Sequence, residues 1–347
     1  MVDHQYNTSN SPAKHDSDFD LYWSKLTNKT ICITGATGLI GSHLVHKITN
    51  YNKTKEFNCT ILLPVRNINK AKSLFGNSTH IRYYEWNLGQ FLPIFNMQVD
   101  FIIHAACPTA SQEFEHKPVE TIINIVEGTQ HILQSCKHIQ PHKFVYLSTM
   151  EVYGETGGLI TEDSFGSIDP MVVRNSYPEA KRLCECLCAS YYQEYDLPIC
   201  VARLAQTFGA GVNPEDKRVF AEFGRAIKNS ADIVLFSDGS KKNSYISLND
   251  VANAIATILC HGEPGEAYNV ANEDTYTSIK DMANMVIESF GNKQMKVRFA
   301  TDSAREKTFR KSKDLNLCSS KLKDLDWEPT DSLKDMFAAM LDCWNMN

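Results

Sequence analysis

The sequence predicts an α/β fold: a doubly wound parallel sheet with helices on both faces, followed by a smaller C-terminal lobe of mixed α/β character. Three observations carry this. Short apolar runs alternate with longer stretches of helical period, as in strands buried on both faces and joined by crossover helices. A glycine-rich stretch, "TGATGLIG", joins the first run to the first helix. After about residue 205 the regular alternation gives way to loops and shorter elements.

Taken in order, residues 1–27 form a polar extension, with 1 to about 16 expected to be disordered and "DFDLYWSKL" to form a short helix before the first strand. The expected strands are "TICITG" (30–35), "TILLPV" (60–65), "IRYYEW" (81–86), "DFIIHAA" (100–106), "KFVYLST" (143–149) and "PICVARL" (198–204). Long helices are expected at 118–138 and 176–195. Residues 28–205 would make a nucleotide-binding core. Residues 206–347, with "DIVLF", a helix from Leu248 and a strand in "GEAYNVA", would mainly make a substrate-binding lobe that returns some elements to the core.

Composition limits the partners. A net charge of −6 disfavours a broad surface for nucleic acid or anionic membrane, and no apolar run approaches membrane-spanning length. Eleven cysteines, an odd number, together with a polar start lacking a secretory signal, point to a reduced, cytoplasmic setting. Cys184, Cys186 and Cys188 ("CECLC") invite a metal reading, but they lie in helical sequence with no nearby histidine. Buried, unreactive cysteines are the better account, and no metal is expected.

The glycine stretch places Gly35, Gly38 and Gly41 where the first strand meets the first helix, with Thr37, Leu39 and Ile40 between them. Glycine lets the backbone turn tightly and approach a pyrophosphate, which the helix N-terminus then binds through its unpaired N–H groups. The spacing G-x-x-G-x-x-G is one residue longer than the usual dinucleotide fingerprint. At the end of the second strand, where an acid would accept a bond from a ribose hydroxyl, the chain has Arg66. A guanidinium there pairs with a 2′-phosphate and leans the NAD(P) choice toward NADP; the alternative is a solvated arginine at a strand end. Asn87 and Leu88, in "EWNL", are placed to meet the adenine. Ala105 and Ala106 supply small residues beside the cofactor.

Tyrosine and lysine stand four apart at Tyr51/Lys55, Tyr177/Lys181 and Tyr276/Lys280. Only the second pair opens a long helix after the fifth strand, which ends in hydroxyls at Ser148 and Thr149. A tyrosine titrates near 10, too high for a base at neutral pH. A positive charge about 5 Å away contributes roughly 3 kcal/mol at an effective dielectric of about 20, or about two pK units. Lys181 and an oxidised nicotinamide would supply such charges, letting Tyr177 take a proton from a hydroxyl as hydride leaves, with Thr149 orienting the oxygen.

Together these residues resemble the extended short-chain dehydrogenase/reductase family of Rossmann-type NAD(P)-dependent nucleotide-sugar epimerases, dehydratases and decarboxylases. The matching segments are "TGATGLIG", "HAACP", "NIVEGT", "LSTMEVYG", "SYPEAKR", "ARLAQTFGAG" and "LDWEPTDSLKDMFAAMLDCW". "HAACPTA", "STMEVYG" and "SYPEAKR" are most similar to the UDP-glucuronate decarboxylases. The resemblance implies a cofactor contact at Asn124, substrate contacts at Pro108, Thr109, Thr149, Gln206, Arg218, Asn243 and Tyr245, and acid–base work or a structural hydrogen bond at Glu151. It also implies a homodimer in which the helices 118–138 and 176–195 of two chains pack as a four-helix bundle. Ile122, Ile125, Leu133, Leu183 and Leu187 fit that face and equally fit packing on the sheet.

The chain departs from the family's pattern at three places. Met150 precedes Glu151 where the 4,6-dehydratases carry Asp-Glu, and a thioether cannot donate the proton that drives water loss. Gln206 replaces a common asparagine, and Asn243 replaces an arginine that binds the nucleotide diphosphate; Lys241, Lys242 and Arg218 are the cations that could compensate. The expected activity is therefore a nucleotide-sugar epimerase or decarboxylase that cycles its cofactor. The alternatives are an NADPH-consuming reductase of a sugar, sugar phosphate or other carbonyl, and a non-enzymatic NADP sensor.

Overall fold

The computed structural model describes residues 17–107, 111–300 and 314–345. The expected disorder of residues 1–16, and the expected contacts of Pro108 and Thr109, lie outside them. The core runs β1 (Thr30–Thr34), α1 (Leu39–Thr54), β2 (Thr60–Val65), α2 (Ile68–Phe75), β3 (Ile81–Glu85) and β4 (Phe101–His104). It continues through α3 (Ser111–His116), α4 (Pro118–Ile139), β5 (Lys143–Thr149), β6 (Leu159–Ile160), α5 (Ser176–Tyr195) and β7 (Ile199–Leu204). The six expected core strands and both long helices form with shifts of no more than two residues at their ends.

The main sheet has seven parallel strands in the order β11-β7-β5-β4-β1-β2-β3, where β11 is Ala267–Val270. Its inner strands β1 and β2 are buried without alternation because both faces are covered, while the edge strand β3 is partly exposed. One face packs with α1 and a helix from the C-terminal third, α7 (Leu248–His261); the other packs against α4 and α5. The order reverses between β1 and β4, which opens a crevice at their carboxyl ends.

The C-terminal third begins with β8 (Gln206–Phe208), α6 (Val219–Lys228), β9 (Ile233–Leu235) and β10 (Lys242–Ser247) ahead of α7. After β11 come β12 (Asn272–Ser278), α8 (Ile279–Phe290), β13 (Val297–Phe299), β14 (Asn316–Leu317), α9 (Ser320–Lys323) and α10 (Leu333–Asn345). A three-stranded sheet, β12-β10-β8, frames this region, with Tyr245 opposite Gln206 in register. Its own apolar core centres on Phe208, which stacks on Phe220 at 4.4 Å and meets Phe337 edge-on.

The segment before β1 is more than a tether. Phe19–Trp23 forms a helical turn whose Trp23 is fully buried and donates its indole N–H to Asn253 at 3.0 Å. Of the residues expected on a dimer face, Ile125 and Leu133 are buried under the sheet, Leu187 is half-buried, and Ile122 and Leu183 are exposed. All eleven cysteines are free, and of the "CECLC" set Cys184 and Cys188 are buried while Cys186 is exposed. Among the described residues no helix is long and apolar enough to cross a membrane.

Candidate active site

The glycine loop is built for close approach. Gly35 adopts a left-handed φ of +72°, and a Cβ there would sit 2.6 Å from the Ala105–Ala106 peptide. The turn after β1 therefore rests on the chain leaving β4, where Ala105 N–H bonds the Thr34 carbonyl and Ala106 N–H the Thr34 hydroxyl. A Cβ on Gly41 would lie 2.2 Å from the Gly35 carbonyl oxygen, so α1 starts as near the strand as a backbone allows. Gly38 caps α1 without a side-chain bond, and the first helical hydrogen bond runs from Ser42 to Gly38. The N–H groups of Leu39, Ile40 and Gly41 precede it. An exposed Gly38 and an open first turn on a sixteen-residue helix fit a pyrophosphate.

The other expected cofactor contacts lie on separate elements and differ in exposure. Arg66 directly follows β2, is exposed, and forms no ion pair among the described residues. Asn87 is exposed and Leu88 half-buried; a Cβ on Gly128 of α4 would meet Leu88 at 2.4 Å, so that glycine lets the loop after β3 close on the helix. Thr37 is half-buried, and Asn124 is solvent-exposed on α4. Among the described residues no group of His, Cys, Asp and Glu side chains is arranged to hold a metal ion.

Thr149 ends β5, and Tyr177 and Lys181 occupy the first two turns of α5, which packs against that strand. The Lys181 ammonium is buried, donates to the Leu147 carbonyl at 2.8 Å and lies 4.6 Å from the centre of the Tyr146 ring. Below it, His104 links Thr34 at 2.8 Å and Thr129 at 3.2 Å. Burial first and the Lys181 charge second push that imidazole down to about 3, so it stays neutral. Ser148 turns away to donate to Glu185, which leaves Thr149 as the hydroxyl on the cleft side.

The phenol's surroundings differ from the expectation in one respect. Burial dominates and pushes Tyr177 well above the ordinary tyrosine value, with Cys107 and Glu151 adding to the rise. A hydrogen bond from the Thr149 side chain and the charge of Arg174 pull it down. Lys181 is not among these leading influences, although its charge does act on the neighbouring His104. Of the other two pairs, Tyr51 is buried in the core and Tyr276 lies on β12, away from the glycine loop.

A cleft of about 580 Å³ opens beside this group, lined by Met150, Glu151, Arg174, Gln206, Lys241 and Asn243 among others. Glu151 pairs with Arg174 at 3.0 Å. Gln206 and Asn243 line the cleft, and among the described residues Gln206 Oε1 and Asn243 Oδ1 are buried without a hydrogen-bond partner, as suits a polar occupant. Tyr245 is buried edge-on to Phe208; burial pushes it up to about 12, while the Asn243 side chain beside its hydroxyl acts in the opposite sense. Arg218 is not on the lining: it forms a two-pronged bond with Asp216 and stacks on Phe220 at 4.7 Å.

Two residues beside Tyr177 escaped the sequence reading. Phe114 stacks on its ring at 4.4 Å, and Arg174 reaches both Phe114 and Glu151. Arg174 was findable, lying three residues before Tyr177; Phe114, far off in the chain, carried no local signal.

Comparison with known proteins identifies the family. UDP-glucuronic acid decarboxylase 6 of Arabidopsis thaliana is 28% identical over 314 residues, covering 89% of this chain and 87% of that protein. The structure of dTDP-glucose 4,6-dehydratase from Bacillus anthracis str. Ames in complex with NAD matches with a TM-score of 0.73 at 21% identity, over 92% of this chain and 97% of that one. UDP-glucuronic acid 4-epimerase from Bacillus cereus, in complex with UDP-glucuronic acid and NAD, matches with a TM-score of 0.72 at 22% identity, over 91% and 99%. At these identities the solved structures establish the shared fold. The family model for NAD dependent epimerases/dehydratases matches residues 31–271, and the chain belongs to the NAD dependent epimerase/dehydratase family.

Proposed function

We propose that this protein is an NAD(P)-dependent enzyme that modifies a nucleotide sugar by transient oxidation at a hydroxyl-bearing carbon, of the epimerase or decarboxylase type. The observation that carries it is the placement of Thr149, Tyr177 and Lys181 between a glycine loop fit for a dinucleotide and a polar cleft. When bound, an oxidised nicotinamide would supply the hydride acceptor. Tyr177 would act in its ionised form, which the cofactor's positive charge and Lys181 favour, and take the hydroxyl proton; Thr149 holds the same oxygen, and Lys181 fixes the helix start against β5. Gln206 and Asn243 offer acceptors to sugar hydroxyls, and Lys241 offers a cation to the anionic part of the substrate. Met150, buried on the cleft wall, supplies no proton for water loss, which disfavours dehydration.

The relatives support the substrate class, since the decarboxylase and the epimerase named above act on UDP-glucuronic acid. The test is incubation of the purified protein with UDP-glucuronic acid and NAD, with products read by mass spectrometry. The expected result is loss of carbon dioxide or an isomeric product, without net change in cofactor absorbance. No conversion of any UDP- or dTDP-sugar would overturn the proposal. Tyr177→Phe should abolish turnover while preserving NAD binding.

One observation favours the second reading, a net reductase: Arg66, exposed at the end of β2 and without an ion pair among the described residues, suits the 2′-phosphate of NADP. Steady depletion of NADPH by a carbonyl substrate would decide for it. Exposed Val119, Ile122, Ile123 and Leu183 on α4 and α5 support a homodimer through these helices, to be checked by sedimentation. The free cysteines suit a reducing compartment such as the cytoplasm.

A further inference from the structure

The Tyr177 ring is covered by a side chain from a separate element. Phe114 of α3 lies nearly parallel to it, centres 4.4 Å apart and planes at 9°. Phe114 is itself buried, and its carbonyl accepts the hydroxyl of Ser176, the residue before Tyr177, at 3.3 Å. Arg174 stands in the helical turn just ahead of α5 and sets its guanidinium carbon 5.2 Å from the Phe114 ring centre. The same guanidinium pairs with Glu151 at 3.0 Å, and the Glu151 backbone N–H donates to Thr149 Oγ1 at 3.2 Å. These contacts run unbroken from Thr149 through Glu151, Arg174 and Phe114 to Tyr177. They tie together the two side chains that would hold the reacting oxygen.

Resting on the assignment of Tyr177 as proton acceptor, we propose that Phe114 and Arg174 are positioning residues for its phenol. Phe114 fixes the plane of the tyrosine ring. Arg174 holds Phe114 and Glu151 in place and presents positive charge to the phenol. The groups that face this phenol are few. Cys107 and Glu151 make its ionisation harder, while Arg174 and the Thr149 hydroxyl make it easier. Arg174 is the cation among the leading influences on the phenol. An aromatic stack restrains a ring that a lone helix-borne tyrosine would leave free to swing, and a small misplacement at a reacting group is costly in rate.

The test uses the full-length protein loaded with NAD and isotopically labelled at tyrosine, with Tyr177→Phe identifying the Tyr177 resonance. In Arg174→Gln the titration midpoint of that resonance should rise by about one unit. The acidic limb of the kcat/KM–pH profile should move up with it, because the phenol must lose its proton to act. Phe114→Leu should lower kcat by about ten- to a hundredfold with KM little changed, and Phe114→Tyr, which keeps the stack, should restore it. A folded Phe114→Leu with unchanged kcat and an unmoved resonance overturns the proposal. So does an Arg174→Gln that raises KM while leaving the titration in place, which would make Arg174 a substrate ligand. If the wild type converts no nucleotide sugar, the functional proposal fails by itself, and the resonance titration still decides whether Phe114 and Arg174 act on Tyr177.

Discussion

Lys241, Lys242 and Arg218 were equal candidates to meet an anionic substrate, and their surroundings separate them. Arg218 is neutralised by Asp216 and flattened on Phe220. Lys242 lies over the Tyr276 ring. Lys241 stands just ahead of β10, lines the cleft together with Asn243, and forms no ion pair among the described residues. Replacing it with methionine should raise KM for a UDP-sugar about tenfold, a loss of ~1.4 kcal/mol in binding, and leave NAD affinity unchanged. Lys241 is exposed, yet desolvation by the cleft wall lowers its pKa, with Glu151 opposing. Substrate affinity should therefore weaken as pH rises through that lowered value, and the variant should lack this dependence; equal KM profiles for both proteins would refute the role. At this scale the sequence disclosed what is local. Tyr177 and Lys181 share a helix face and Thr149 ends a strand, whereas the choice among three cations depends on partners that no spacing encodes.

Elements were legible where a pattern runs long enough to repeat. The apolar core strands and the helices α4 and α5 announce themselves. The two- and three-residue pairings β6–β14 and β9–β13 are too short to show a period. The strand in "GEAYNVA" was foreseen, but its place beside β7 at the edge of the main sheet was not, because a buried apolar run does not name its neighbour. The glycine loop was legible as chemistry, and the structure divides its glycines by task. Gly35 needs both its left-handed φ and the bare approach to Ala105–Ala106, so Gly35→Ala adds about 1–2 kcal/mol of backbone strain to a steric clash. It should lower the melting temperature and the NAD affinity together. Gly38 has ordinary φ, and its added Cβ would come no nearer than 3.3 Å to the Gly35 carbonyl. Gly38→Ala should therefore melt close to the wild type while binding NAD more weakly, because the methyl group would crowd the open helix turn. Calorimetric titration beside thermal melts separates the two; equal losses of stability would show that Gly38, too, is there for the fold.

For the whole molecule, the least legible feature is how the N-terminal segment is held. Its polar start suggested an appendage, yet Asp18 pairs with Lys47 of α1 at 3.3 Å, with both side chains almost fully buried. Asn249 of α7 bonds the same ammonium and also donates to Asp18, so three distant parts of the chain meet at one charge pair. No periodicity reveals such a pair, because it satisfies an isolated buried charge rather than a face. Burial disfavours the charged lysine and Asp18 is the leading group that opposes this. Removing Asp18 would strand the ammonium, and Asp18→Ala should cost about 3–5 kcal/mol in urea unfolding. Adding Lys47→Met should recover a large part of that loss, because the stranded ammonium is then gone. The cofactor loop lies at the opposite end of α1 from its C-terminal turn and keeps its own contacts with β4. If the segment acts on stability alone, NAD at about a hundred times its Kd should stabilise wild type and Asp18→Ala equally, by about 2.7 kcal/mol. A smaller gain in the variant would mean that the N-terminal segment also shapes the dinucleotide site through α1.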